Sequence, residues 1–170
     1  MNIQQLNVLS RDKLFIELEK CCGSSDWVKR MVNSRPFKTT ESIHKISDKI
    51  WNNIGTKGML EAFTHHPQIG DVDSLKKKFA STAQWAGNEQ EGTSIASDEV
   101  LQQLKAGNDA YLKRFGFIFI VCATGKTAQQ MLDLLNDRLP NDKAIELHTA
   151  AAEQNKITHL RLDKLLESKI

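Results

Sequence analysis

Residues 97–123 read SDEVLQQLKAGNDAYLKRFGFIFIVCA, and this stretch decides between a helical and a sheet protein. In its first part Leu101, Leu104, Tyr111, Leu112 and Phe115 return at helical spacing, and Gly116 stands where a left-handed C-terminal residue would end the helix. The spacing predicts one long helix over 97–115. The second part, Phe117 to Ala123, is apolar throughout and bounded by Gly116 and Gly125. Its pattern fits a buried strand and a buried extended segment equally well. A lone strand would have no partner, so the stretch argues against a sheet.

Working outward toward the C-terminus, Thr127 and Gln130 form a capping box for a helix with Met131, Leu134 and Leu135, closed by Pro140. Asn141 is placed to cap a last helix that runs to about residue 166. In the other direction, Asp73 with Leu75 and Phe79 suggests a helix inside an irregular, Gly- and Ser-rich stretch over 67–96. Before it, Leu60 and Phe63 belong to a helix that runs into His65-His66-Pro67. Thr40 opens another helix with Ile43, Ile46, Ile50 and Trp51, and Ser25 one with Trp27, Val28 and Met31. The latter must stop before Arg35-Pro36, because a residue preceding proline disfavours the helical region. Ser10 caps a helix striped with Leu14, Phe15 and Leu18 that ends at Cys21-Cys22-Gly23. The expected fold is therefore all-α: a compact single domain over 1–170, a bundle of about seven or eight helices with one buried extended segment near 117–123.

Composition agrees. Three prolines and nine glycines are too few for a sandwich or barrel that turns every ten residues or so. No apolar run approaches the roughly 20 residues of a membrane helix, so no membrane partner is expected. The 23 basic and 21 acidic residues leave +2, with Lys76-Lys77-Lys78 as the longest basic block, which excludes an electrostatic footprint for nucleic acid. Cys21, Cys22 and Cys122 are odd in number and lack zinc spacing, and the N-terminus has no apolar signal region; both point to a reducing, cytoplasmic setting. The final Ser168-Lys169-Ile170 differs by one residue from a peroxisomal address.

Four places are odd against this scaffold. His65-His66-Pro67 sits at a helix end, where an imidazole can serve as general acid or base or simply meet helix-terminal carbonyls. Adjacent residues point about 100° apart on a helix, so one of the pair should face inward and the other out. The same stretch permits a metal reading with His65, His66, Asp71 and Asp73, though without the His-x-x-x-His spacing that puts two imidazoles on one helical face. The segment Trp85-Ala86-Gly87-Asn88-Glu89-Gln90 places a carboxylate beside a carboxamide, a fit for a polar ligand or for any polar turn. The backbone of Phe119 to Ala123, if extended and unpaired, needs partners that a polar heterocycle could supply. Finally, on a wheel centred at Ile157, Ala150 falls at about 20°, Arg161 at about 40° and Leu165 at about 80°, placing Arg161 in the apolar stripe. A guanidinium there needs an internal carboxylate, for which Glu153 is a candidate, or an anionic ligand gripped bidentately.

Taken together, the motifs Ser34-Arg35-Pro36-Phe37, His66-Pro67-Gln68-Ile69-Gly70, Glu89-Gln90 followed by Gly92, Asn108-x-x-Tyr111-x-x-x-Phe115-Gly116-Phe117, Phe119-Ile120-Val121-Cys122-Ala123 and Leu160-Arg161-Leu162 resemble one family through most of the chain. That family is 2-oxo-4-hydroxy-4-carboxy-5-ureidoimidazoline (OHCU) decarboxylase, which completes the conversion of urate to (S)-allantoin. The resemblance implies an all-helical, cofactor-free enzyme, usually a homodimer, with no resident metal. Carried onto this chain, it implies His66 as the catalytic histidine and Glu89 as its acidic partner. Gln90 and Arg161 would hold the substrate, with Pro67, Ala86 and the backbone of Phe119, Ile120, Val121, Cys122 and Ala123 around it. The chain departs from many members at Ala86, where serine is common, and at Ile118, where proline is common. Two alternatives stand beside this reading: a metal-dependent hydrolase built on His65, His66, Asp71 and Asp73, and a non-enzymatic helical module, which predicts no pocket joining His66, Glu89 and Arg161.

Overall fold

Short polar side chains set where the helices of this chain begin. A computed structural model describes residues 1–66 and 98–167. Among them are eight helices and no strand: α1 (Ile3–Val8), α2 (Arg11–Glu19), α3 (Ser25–Asn33), α4 (Thr40–Trp51), α5 (Gly55–Thr64), α6 (Asp98–Phe115), α7 (Ala128–Arg138) and α8 (Lys143–Leu166). The fold is all-α. Ser10, Ser24, Thr39 and Thr127 each accept a backbone N–H of the first turn that follows, satisfying a donor that has no partner within the helix. The expected box of Thr127 and Gln130 is present at α7. Helix α1 was not among the expected elements, yet Asn2 and Gln5 form the same box there. The expected helix carrying Leu75 and Phe79 lies outside the described residues.

The chain divides into two compact units, one of residues 1–66 and 151–170 and one of 67–150. In the first, α3 packs against α2, α4 and α5. Its core holds Leu6, Leu14, Leu18, Trp27, Met31, Ile43, Phe63 and Leu162, all essentially sealed from solvent. Both buried indoles find acceptors: Trp27 Nε1 donates to Ser47 Oγ at 3.3 Å and Trp51 Nε1 to the Ala151 carbonyl at 3.1 Å. Leu60, expected in the apolar stripe of α5, is instead exposed, while Phe63 turns inward. The Ser34–Phe37 motif fastens the α1–α2 junction. The Asn7 carboxamide bonds the Phe37 backbone in both directions, at 2.8 and 2.9 Å, and Arg35 donates to the Leu9 carbonyl at 2.7 Å.

In the second unit α6 packs along α7. Gly107 makes the approach possible, since a Cβ there would stand 2.5 Å from Leu135 Cδ2. Helix α6 stops at Gly116, whose φ of +80° suits glycine. The chain from Phe117 to Ala123 is neither helix nor strand, with Phe117, Phe119 and Ile120 buried and Ile118 and Val121 to Ala123 half-buried, so the expected segment is only partly enclosed. Asn141 does not cap α8, whose first backbone bond runs from Glu146 N to the Asp142 carbonyl; its carboxamide donates to the Glu146 carboxylate at 2.9 Å instead. No helix among the described residues is long and apolar enough to cross a membrane.

Candidate functional site

Helix α5 closes on a tightened turn. His65 N bonds the Ala62 carbonyl and His66 N the Phe63 carbonyl, each at 3.2 Å, and the following Pro67 of the sequence has no N–H to continue the ladder. The two histidines diverge as adjacent helical positions should. His65 is exposed on one side and packed on the other against Gly23, where a Cβ would stand 2.2 Å from His65 Cγ. His66 is half-buried, with Nε2 2.5 Å from Gln154 Oε1. Gln154 and Thr158 are buried on α8. Gln154 Nε2 donates to Thr158 Oγ1 at 3.2 Å, and that hydroxyl donates to the Gln154 carbonyl at 3.0 Å.

The turn between α2 and α3 lies behind this chain. Burial pushes the Cys22 thiol up to about 11, against hydrogen bonds from Ser24 and Thr158 and the charge of Arg161. Burial likewise pushes Cys21 up to about 12 despite Arg161. Both therefore stay S–H near neutral pH and are not nucleophiles. Glu61 Oε2 accepts from Ser25 N and Oγ at 3.2 Å, tying α5 to the start of α3.

Arg161 sits beside the buried stripe of α8 and not within it. The residues that bury along α8 are Glu146, Ala150, Gln154, Thr158 and Leu162, every fourth one, with Ala151 alongside. A wheel that follows only apolar residues misses this face, because its polar members bury by bonding one another. Ile157, Arg161 and Leu165 are half-buried at its flank. Arg161 Nη1 reaches the Lys20 carbonyl at 3.4 Å, at the end of α2, where a helix C-terminus favours a cation. Glu153 pairs with Lys156 at 2.5 Å, and among the described residues Arg161 has no carboxylate partner.

The second unit holds the extended segment by its carbonyls. Ile120 O accepts from Arg138 Nη1 at 2.9 Å, Cys122 O from Lys126 Nζ at 2.7 Å and Ala123 O from Lys126 N at 3.0 Å. Phe117 and Phe119 set their edges against Tyr111, and the Arg138 guanidinium lies 4.6 Å over the Phe119 ring. Arg138 is itself held by Glu146, through Nε at 2.8 Å and Nη2 at 2.5 Å, and Tyr111 donates its hydroxyl to the same carboxylate oxygen. Burial and that carboxylate push the Tyr111 phenol well above its ordinary value, so it remains a donor. Among the described residues the backbone N–H groups of Phe119, Ile120, Val121 and Ala123 meet no protein acceptor.

Of the expected site residues, the structure thus describes His66, Arg161 and Phe119 to Ala123. Pro67, Ala86, Glu89 and Gln90 lie outside the described residues, as do Asp71, Asp73 and Ser168 to Ile170. Among the described residues no group of three or more His, Cys, Asp and Glu side chains is arranged to hold a metal ion.

Residues 7–163 match the family model described as OHCU decarboxylase. The "Uric acid degradation bifunctional protein TTL" of Arabidopsis thaliana is 40% identical over 155 residues, 90% of this chain and 47% of that protein, so this chain spans about half the length of that relative. The "2-oxo-4-hydroxy-4-carboxy-5-ureidoimidazoline decarboxylase" of Haloferax volcanii is 25% identical over 169 residues, 99% of this chain and 98% of that one. The crystal structure of OHCU decarboxylase in the presence of (S)-allantoin matches with a TM-score of 0.73 at 39% identity, over 89% of this chain and 98% of that one. The crystal structure of (S)-allantoin synthase matches with a TM-score of 0.74 at 17% identity, over 99% and 54% of the two chains, a likeness of fold.

Proposed function

This chain belongs to the OHCU decarboxylase family, and from that premise we propose that it converts OHCU to (S)-allantoin in urate breakdown, without a cofactor, as a homodimer whose residues 1–170 act as one catalytic domain. The reading rests above all on the 39% identity that extends over 98% of a chain crystallised in the presence of (S)-allantoin. OHCU carries its carboxylate on a ring carbon that also bears a hydroxyl. When the bond to the carboxylate breaks, CO2 departs and the electron pair is delocalised into the adjacent ring system. A proton delivered to one face then sets the S configuration.

His66 and Glu89 engage the hydroxyl and ring during cleavage and manage that proton. Gln90 and Arg161 hold the carboxylate and ring carbonyls, supplying orientation, and Pro67, Ala86 and the Phe119–Ala123 backbone, Ile120, Val121 and Cys122 included, border the substrate. Two observations support these roles. One partner of the His66 ring, the buried carboxamide of Gln154 at Nε2, is uncharged, and an imidazole is a side chain suited to general acid/base work. The N–H groups of Phe119, Ile120, Val121 and Ala123 are donors suited to the carbonyls of a polar heterocycle.

The test generates OHCU in situ from urate with urate oxidase and hydroxyisourate hydrolase and follows the circular dichroism of the allantoin formed. Spontaneous decay yields racemate, so an excess of the S enantiomer is the expected result, unchanged after EDTA treatment. His66→Asn, shown to be folded, is expected to abolish that excess; full activity in this variant would remove His66 from the chemistry.

A further inference from the structure

Gln154 stands 88 positions from His66 in sequence, yet its side chain is a polar group that the His66 ring meets. We propose that Gln154 is a positioning residue for His66: its carboxamide oxygen holds the imidazole as the Nε2–H tautomer and so assigns proton exchange to Nδ1. The inference rests on the reading of His66 as the acid/base residue.

The direction of each bond follows from the neighbours. The Thr158 hydroxyl spends its proton on the Gln154 main-chain carbonyl at 3.0 Å, so toward the Gln154 side chain it can only accept. The amide nitrogen of Gln154 must therefore face Thr158, as it does at 3.2 Å, and the amide oxygen must face His66. Turning the carboxamide over would set its oxygen against Thr158 Oγ1, and the hydroxyl would have to give up its bond to the Gln154 main-chain carbonyl to donate there. An amide oxygen 2.5 Å from Nε2 requires the hydrogen to sit on that nitrogen. Cys22, kept as a thiol by its burial, adds an S–H beside Thr158 and does not compete for the hydroxyl proton as a thiolate would. Cys22, Thr158 and Gln154 thus form an uncharged series that ends on His66, and the described charges that act on its Cys22 end are Arg161 and Glu61.

The Gln154 carboxamide is uncharged, so this contact fixes the ring without itself favouring the cation. Two other histidines of this unit are held by carboxylates instead: His44 Nε2 meets Asp163 at 2.7 Å and His159 Nε2 meets Asp48 at 2.6 Å. An imidazole that must both take and return a proton is better served by the amide.

Nitrogen-15 NMR of histidine-labelled protein tests the proposal without turnover. In the unaltered chain His66 should carry its hydrogen on Nε2. Gln154→Glu should raise the pH at which His66 protonates by about one unit or more and move the acid limb of the kcat/KM profile with it. Gln154→Leu should mix the tautomers and lower kcat on the order of 10- to 100-fold with little change in KM. A His66 that carries its hydrogen on Nδ1 in the unaltered chain would overturn the proposal, as would a Gln154→Glu profile that does not move. If His66→Asn remains fully active, the functional reading fails while the tautomer result stands; if that variant is inactive and the tautomer is the other one, only the present inference fails.

Discussion

Two buried polar clusters, one in each compact unit, are built on opposite electrostatic principles. Around Glu146 everything is charged or saturated. The carboxylate accepts from Arg138 twice, from Tyr111 and from Asn141, and Arg138 uses its remaining arm on the Ile120 carbonyl. Around Gln154 every member is uncharged, and the series runs through single bonds to an imidazole at its edge. If His66 is the acid/base residue proposed above, the difference separates fastening from chemistry. A buried ion pair holds only while both partners keep their charge, so it suits a segment whose backbone must stay in place. An uncharged series can end on a group that gains and loses a proton without stranding a charge in the interior.

The comparison can be broken hardest at Arg138. Arg138→Met leaves the fully enclosed Glu146 carboxylate without its cation and should cost about 3–5 kcal/mol in denaturant unfolding, whereas Arg138→Met with Glu146→Leu should recover most of the loss. Failure of the double change to recover stability would mean that the network does more than cancel its own charges. The uncharged side should yield less. Gly23→Ala drives a methyl into the His65 ring, and we expect a loss of about 1–3 kcal/mol with reduced (S)-allantoin formation, since His66 is the next residue. Thr158→Val keeps the shape but removes the acceptor of Gln154 Nε2, for an expected loss of about 1–2 kcal/mol by thermal melting, together with a blurred His66 tautomer.

The smallest effect belongs to the half-exposed His44–Asp163 and His159–Asp48 pairs. Burial tends to raise the Asp48 carboxyl, but hydrogen bonds from Asn155 and His159, with the charge of His159, prevail and hold it below its ordinary range. A carboxyl lowered in the folded state stabilises at pH above its unfolded value, and that contribution disappears as pH falls through the folded value. Asp48 is exposed enough for solvent to screen it, so the acid-side loss should stay under about 1 kcal/mol. Asp48→Asn should flatten the stability curve below about pH 4, which acid titration of the melting temperature measures.

Much of this was legible residue by residue. Ser10 and Thr127 read as caps and Ser25 and Thr40 as helix starts, because a cap depends on side chains within three residues of the helix; the structure puts the caps of the latter two on the preceding Ser24 and Thr39. The divergence of His65 and His66 was legible too, being a matter of helical pitch. The six-residue α1 was missed although its Asn2–Gln5 box was in view. Gln154 and Thr158 were missed for a different reason: a polar residue reads as surface until its bonding partner is known. Their one trace in the sequence is the four-residue spacing of Ala150, Gln154, Thr158 and Leu162. The same blindness put Arg161 inside a stripe that it only borders, and gave it Glu153 as a partner that pairs with Lys156.

By itself, then, the sequence determined the all-α class, most of the helix starts and a run at 117–123 that is neither helix nor paired strand, because caps, periodicity and glycine stops act over a few neighbouring residues. It also carried the family, through motifs spread in order along the chain. Only the tertiary structure decided that Glu146 would be buried under Arg138 and that His66 would rest on Gln154. Those pairings join residues 8 and 88 positions apart, and their geometry follows from how helices pack and which polar groups burial forces together.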